Sequence, residues 1–372
     1  MKKKIFWKVY GVIVVLGVAL SVTLFISFWN FLSAYEKSQP KYEMEKVINL
    51  FEDGDSSQLV KYMTYQLSAF ENDDTIIKDL DNILLDGQWD FEQKAGSYSQ
   101  NTPVYKVKKD GIAVATVTLE KSTEKADFNM DKWELESIGD ILTIKDNYVI
   151  LAPTGSTIYV NGISLSNQYI VERNIAILDL VNVLKYVSIP TMVKYIVPGF
   201  YEKPQILAVG SVFNTELVAT YQNEYTLKFA FESNQDFNSS QESRIIEFTQ
   251  LYGKYVINDV KFASLSPYII ANSDSYNFLK TIASINIWYG THSSPEFIDL
   301  VVSNYQIYTD KCYSCDVSFT LTFLLSNKTF QYPTNLRYYY VQSGGVWRVA
   351  DFVIKWYSRL WKKYQLMCSK EK

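Results

Sequence analysis

One stretch limits this chain more than any other. From Val9 to Tyr35 there is no charged residue, and Val9 to Phe28 reads VYGVIVVLGVALSVTLFISF. At 1.5 Å per residue a run of this length crosses about 30 Å of hydrocarbon, so the segment suits a single transmembrane helix. Trp7 and Tyr10 at one end, and Trp29 and Tyr35 at the other, fall where interfacial aromatic belts lie. Lys2, Lys3, Lys4 and Lys8 precede the run, a bias that predicts a cytoplasmic amino terminus (1–8), an anchor (9–32) and a body outside. A cleaved signal peptide is the rival reading, with Ser33 and Ala34 near a cut, although the run exceeds the usual core of about 7 to 15 residues and no A-x-A pattern follows. A buried soluble helix is the third reading, and nothing polar interrupts the run to favour it.

All 40 acidic residues lie at or beyond Glu36, so beyond the anchor 32 basic residues face 40 acidic ones and the body carries −8. A mildly acidic body is a poor polyanion binder, and no nucleic-acid partner is expected. The 29 tyrosines, 21 phenylalanines and 8 tryptophans point to ring-rich strands rather than to disorder. No glycine-rich phosphate loop, zinc pattern or hydrolase signature occurs, so no cofactor and no metal are expected.

After a polar linker, Met44, Val47, Ile48 and Phe51 recur at helical spacing with Gly54 just beyond, which predicts a helix over 41–53. A short helix at QLVKYM and another within 71–86 follow, then strands at 88–97, 103–109, 111–121 and 132–142. The same order returns later. A helix is expected over 239–256, opened by a Ser/Glu capping box, followed by short helices at 264–271 and 274–287 and strands at 296–308, 313–325, 333–342 and 346–354. In the second of these strands Tyr313, Cys315, Val317, Phe319, Leu321 and Phe323 alternate with polar residues, so one face is core and the other sees water or a cavity. Both halves close on W-x-[LV]-x-x-[IF]: Trp133, Leu135 and Ile138, then Trp347, Val349 and Phe352. This reads as a diverged internal repeat. Between the halves, Asn161-Gly162 separates two β-prone runs and predicts a tight hairpin.

Helix first and curved antiparallel sheet after it is the order of the cystatin-like cone of the nuclear transport factor two superfamily, which both halves resemble. The text APTGSTIYVNGISL resembles the hairpin of membrane-anchored envelope proteins of Gram-positive bacteria, the group that includes the teicoplanin-resistance-associated membrane proteins. The fold expected is α+β: an N-terminal transmembrane helix, two cone domains (36–142 and 214–354), a small β-rich module (143–213) and a basic aromatic tail (355–372). The resemblance implies a role in the Gram-positive envelope, connected to the wall or to antibiotic response.

Several residues are candidates for chemistry. Cys312 and Cys315 form a C-x-x-C, but in a strand positions three apart face opposite ways at roughly 10 Å, too far for a disulfide. Inert thiols, a disulfide that is either local, through a turn at Asp310 to Cys312, or made with Cys368, and redox or metal chemistry are the readings left open. His292, the single histidine, is read as a loop residue making one hydrogen bond, with a pocket rim as the alternative. Asp316 and Asp299, with Tyr338, Tyr339 and Tyr340, could form a carboxylate-and-phenol site inside a cone, or simply line ordinary sheet faces. In the tail, Lys355, Trp356, Arg359, Trp361, Lys362 and Lys363 form a basic aromatic segment suited to surface attachment, or to packing on the last domain as an ordinary amphipathic helix.

The expected function is therefore non-catalytic: a membrane-anchored extracytoplasmic binding or scaffold protein of the envelope. Its partners would be the lipid bilayer, through the N-terminal helix, and anionic wall polymer or an envelope protein. A single-span component of a conjugation or secretion complex is the first alternative. A cone-fold enzyme with an interior carboxylate base is the second.

Overall fold

The first element, α1 (Lys2–Lys37), follows from the uncharged run. Its 36 residues span roughly 54 Å. It is long and apolar enough to cross a membrane, and none of its most apolar window is buried against the rest of the chain. The structure is a computed structural model describing residues 2–96, 101–282 and 291–355. The chain divides into two compact units, one of Met1–Asp146 with Gly199–Lys203 and one of Asn147–Pro198 with Pro204–Lys372.

In the first unit Ser38 and Gln39 break the helix and α2 (Pro40–Glu52) starts on proline, whose fixed φ suits a first turn. Next come α3 (Ser56–Leu59) and α4 (Asp73–Leu84), the latter opened by a capping box between Asn72 and Thr75. Strands β1 (Trp89–Gln93), β2 (Val104–Lys109), β3 (Ile112–Lys125) and β4 (Asp131–Gly139) form an antiparallel meander in that order. The Met44, Val47, Ile48 and Phe51 face of α2 is buried in one core with Val107, Val117, Leu119 and Trp133 from the sheet. Trp133 also donates its indole N–H to the Ser38 carbonyl at 2.9 Å, which fixes the chain where it leaves α1.

The second unit opens with β5 (Tyr148–Pro153), β6 (Thr157–Val160), β7 (Ile163–Ser164), β8 (Ile170–Ile175), β9 (Met192–Val197) and β10 (Ile206–Val209). Asn161 (φ 49°) and Gly162 (φ 79°) make the tight turn between β6 and β7, both in the left-handed region that Asn and Gly tolerate. Two more strands, β11 (Ala219–Asn223) and β12 (Thr226–Phe229), correct the expected boundary at 213/214. They belong to the middle sheet, ordered β11-β12-β5-β9-β8, and not to the second cone. β12 pairs in parallel with β5, a partner far earlier in the chain, so no local pattern marks where these strands belong.

The second cone then follows as α5 (Gln235–Val256), α6 (Phe262–Leu265), α7 (Asp274–Ile282), β13 (Glu296–Thr309), β14 (Cys312–Leu325), β15 (Lys328–Ser343) and β16 (Val346–Ile354). The four strands again form an antiparallel meander in chain order. α5 begins before the expected Ser/Glu box: Asn234 caps it by accepting from Phe237 N at 2.9 Å. Phe237 packs edge-on against Tyr313 and Trp347, and this contact sets the earlier start. The expected extension of the third helix to 287 lies outside the described residues.

The shared closing motif has a structural cause. In β4 the register runs Thr118↔Ser137 and then Leu119↔Leu135, skipping Glu136, and in β16 it runs Tyr339↔Asp351 and then Tyr340↔Val349, skipping Ala350. Positions three apart on a regular strand face opposite ways, but one bulged residue returns them to the same face. Leu135 and Ile138 accordingly share one core, and Val349 and Phe352 share the other. The spacing W-x-[LV]-x-x-[IF] is the signature of a bulge at the same place in both halves.

Candidate binding site in the second cone

α5 lays Ile245, Phe248, Thr249 and Tyr252 along one face, and these pack on the sheet residues Cys315, Val317, Phe319, Tyr338 and Tyr340. Toward the end of α5 the packing opens into a cavity of about 380 Å³. The helix side is formed by Tyr252, Gly253 and Val256, and the sheet side by Phe319, Leu321, Tyr332, Thr334 and Ile354. Gly253 is required by its surroundings, because a Cβ there would lie 2.5 Å from Cε1 of Phe297. No carboxylate and no imidazole lines this cavity among the described residues. Its polar groups are phenol and hydroxyl, and burial pushes the Tyr252 phenol up to about 12, so it stays protonated at neutral pH.

Deeper in the core, Tyr313 and Tyr340 stack at 4.9 Å with planes 10° apart, and Trp347 meets Tyr313 edge-on at 4.9 Å. The buried hydroxyls of Tyr305, Tyr313 and Tyr340 have no hydrogen-bond partner among the described residues. Burial holds all three phenols above their ordinary range. Thr249 reaches the Tyr338 hydroxyl at 3.5 Å.

The candidates named from sequence do not meet in this cavity. Asp316 lies on the opposite face of the sheet, where Arg337 (3.4 Å), Lys355 (2.5 Å) and Asn304 (2.7 Å) hold its carboxylate. Asp299 is exposed on an irregular stretch of β13 with φ 52°. Tyr338 and Tyr340 face the core under α5, whereas Tyr339 faces the other way, with Tyr308 and Cys312. Cys312 and Cys315 are free, buried and divided between these two faces, as strand alternation requires. Burial pushes the Cys312 thiol up to about 12, and the Cys315 thiol is raised as well. His292 is held by two backbone carbonyls, Ser293 O and Ile257 O, each at 3.0 Å.

Ser314, on the polar face expected to see water or a cavity, is fully buried. Leu180 and Val183 of the middle module cluster with Cys312, Tyr339 and Val341 on that face, so this end of it is covered. Ser314 bonds there with Tyr308 OH and with Arg337, each at 2.9 Å. Of the tail candidates, Lys355 is described and bonds Asp316. Trp356, Arg359, Trp361, Lys362 and Lys363 lie outside the described residues.

The cavity itself was missed from sequence. Its one local signal is Gly253 inside an otherwise good helix, where glycine costs about 1 kcal/mol relative to alanine and so marks a close approach.

Taken together these elements define an α+β protein with one N-terminal helix long and apolar enough to cross a membrane and with helix-on-meander units, one of which contains an apolar cavity. No family model matches the chain, and no curated protein matches it. Among solved structures, the intermembrane space region of the chloroplast protein ARC6 aligns at 13% identity and TM-score 0.27, covering 33% of this chain and 98% of that one. An Ntf2-like protein involved in plasmid conjugation aligns at 12% identity and TM-score 0.22, covering 80% of this chain and 86% of that one. At such scores neither carries an argument, and the fold description rests on the element order and register above.

Proposed function

We propose that this chain is a single-span protein of a Gram-positive cell envelope, anchored by α1 with its amino terminus in the cytoplasm. Its body lies outside, where it binds or scaffolds without catalysing a reaction. The observation that carries the reading is α1: an apolar window with none of its side chains buried, preceded by four lysines and followed by every acid in the chain. The side chains of a soluble core helix would be covered.

The non-catalytic part is supported by where the titratable groups lie. The thiols and phenols of the second cone are held protonated by burial, and Asp316 is neutralised by two cations on the far face. The working surface on this reading is the bilayer through α1, with anionic wall polymer or another envelope protein met by the body and the basic tail.

The test is extraction. After washing in alkaline carbonate the full chain stays with membranes, and Leu16→Arg with Leu20→Arg releases it, because each arginine at a helix centre costs about 2.5 to 3.5 kcal/mol of insertion. Release of the unaltered chain by carbonate alone would overturn the reading.

A further inference from the structure

The turn between β3 and β4 carries a ring that neither the core nor the turn requires. Phe128 has φ 57° and ψ 27°, and Asn129 follows at φ 58°, so two consecutive residues are left-handed. Asparagine accepts that region, whereas a bulky side chain there is an outlier. The Phe128 ring is 59% exposed and meets Phe31 of α1 edge-on at 5.6 Å. Strain kept at an exposed residue points away from packing and toward a task. Two contacts fix where the turn stands on α1: Trp133 of β4 at the Ser38 carbonyl, and Phe128 at Phe31, roughly 10 Å earlier along the helix. The hairpin therefore runs beside the last two turns of α1, toward the uncharged run. Phe31 lies about 4.5 Å past Phe28, where the most apolar part of that run ends. The headgroup layer on each side of the hydrocarbon is roughly 5 to 8 Å thick, so Phe128 stands at its depth.

We propose that the β3–β4 turn is a second membrane contact, with the Phe128 ring seated among the lipid headgroups and first acyl carbons beside α1. The inference rests on the anchor reading and deepens it, because a second contact on the same unit holds that unit at a fixed tilt to the bilayer. A lipid surface fits the turn better than a protein does. A stable protein interface needs about 800 Å² and about 20 to 30 residues from each partner, which a single ring on a narrow turn cannot supply. One ring binds lipid weakly by itself, but α1 holds it at the surface and makes the contact an intramolecular one. Its neighbours suit an interface more than hydrocarbon: Ala126 and Met130 are half-buried, while Asp127 and Asn129 are exposed where headgroups and water meet them. Charge is not the attraction. Lys121, Lys125 and Lys132 are matched by Glu124, Asp127 and Asp131, with Asp131 paired to Lys121 (2.8 Å) and Lys125 (2.6 Å) and Glu124 to Lys132 (2.7 Å). The contact is therefore indifferent to the charge of the lipid.

The experiment puts p-benzoylphenylalanine in place of Phe128 in the full chain, reconstituted in phosphatidylcholine vesicles, irradiates it, and maps the adducts by mass spectrometry. The control carries the same probe in place of Ile112, which is 69% exposed but begins the 14-residue β3, roughly 40 Å from the turn. Lipid adducts on the peptide 126–132 are expected at least tenfold above those at 112, and phosphatidylglycerol vesicles should give the same ratio to within about twofold. Should the probe at 128 keep the chain from folding, it moves to Met130 in the same turn, where the same excess is expected. A lipid yield no higher than at 112, adducts confined to protein, or lipid adducts only with phosphatidylglycerol would overturn the proposal. Retention after carbonate washing, read on the same vesicles, separates the two failures: a retained chain without the excess sinks this inference alone, and a released chain sinks the anchor reading with it.

Discussion

Replacing Gly210 by alanine would put a methyl carbon 2.1 Å from Cγ, Cδ and Oε1 of Glu232. Glu232 is buried, and its carboxylate accepts from Val212 N (2.6 Å), Phe213 N (2.7 Å) and Thr215 Oγ1 (3.2 Å), which closes the loop after β10 onto the start of the second cone. The carboxylate cannot step aside without abandoning those donors. Hydrogen bonds to a charged group are worth about 1.5 to 3 kcal/mol each, and since both N–H groups are only part-buried, water recovers some of the loss. The net cost of Gly210→Ala is therefore about 2 to 3 kcal/mol, and Glu232→Ala, which removes the acceptor, should cost the same. In the Glu232→Ala background the three atoms that the new methyl group would strike are gone, so adding Gly210→Ala costs much less, a coupling of about 2 kcal/mol. Urea denaturation of the full chain, followed by hydrogen exchange of peptides from 147–198 and 204–282, measures all four corners of the cycle. Single costs that simply add, to within about 0.5 kcal/mol, would refute the reasoning.

His292 presents both ring nitrogens to carbonyl oxygens, and the bond to Ser293 O is the first cause of a pKa raised above 6.5, ahead of Ile257 O and the Asp259 carboxylate at 3.6 Å. A raised folded value means its stabilisation is fully present below about pH 6.5 and is lost as pH rises through the folded pKa. Denaturation midpoints of the second unit should fall over that window, and His292→Gln should flatten the slope. Deleting Glu136 or Ala350 should preserve cooperative unfolding of the unit concerned in near-ultraviolet dichroism melts, because Leu135 and Ile138, or Val349 and Phe352, then stand two apart on a regular ladder and keep one face; loss of the cooperative transition would count against the bulge. Glu136→Ala, at an exposed site, should stay within about 0.5 kcal/mol of the parent by the same near-ultraviolet dichroism melts.

What could be read from sequence was local. Met44, Val47, Ile48 and Phe51 announce a helix because their spacing is the helix period, and Asn161-Gly162 announces its turn because few other residues accept positive φ. The W-x-[LV]-x-x-[IF] motif announced a repeat, although its bulge became plain only from the pairing register. What could not be read depended on distant partners. β11 and β12 look like the opening of a second cone until β5 is seen to pair with β12, and Ser314 looks solvent-facing until Leu180 and Val183 cover it. The helix start at Asn234 was hidden behind a plausible Ser/Glu box, because the deciding contact is Phe237 against Tyr313 and Trp347. The cavity arises from strands of unequal length and one helix glycine, neither of which has a periodic signature.

The orientation we propose puts the body outside the cytoplasm behind a single helix. The most direct measurement adds protease to intact protoplasts expressing the full chain and follows antibodies to tags at the two ends. On this account the carboxy-terminal tag and the body from residue 36 onward are digested while the amino-terminal tag survives with α1. A body that survives until the protoplasts are lysed, with the amino-terminal tag removed instead, would contradict it.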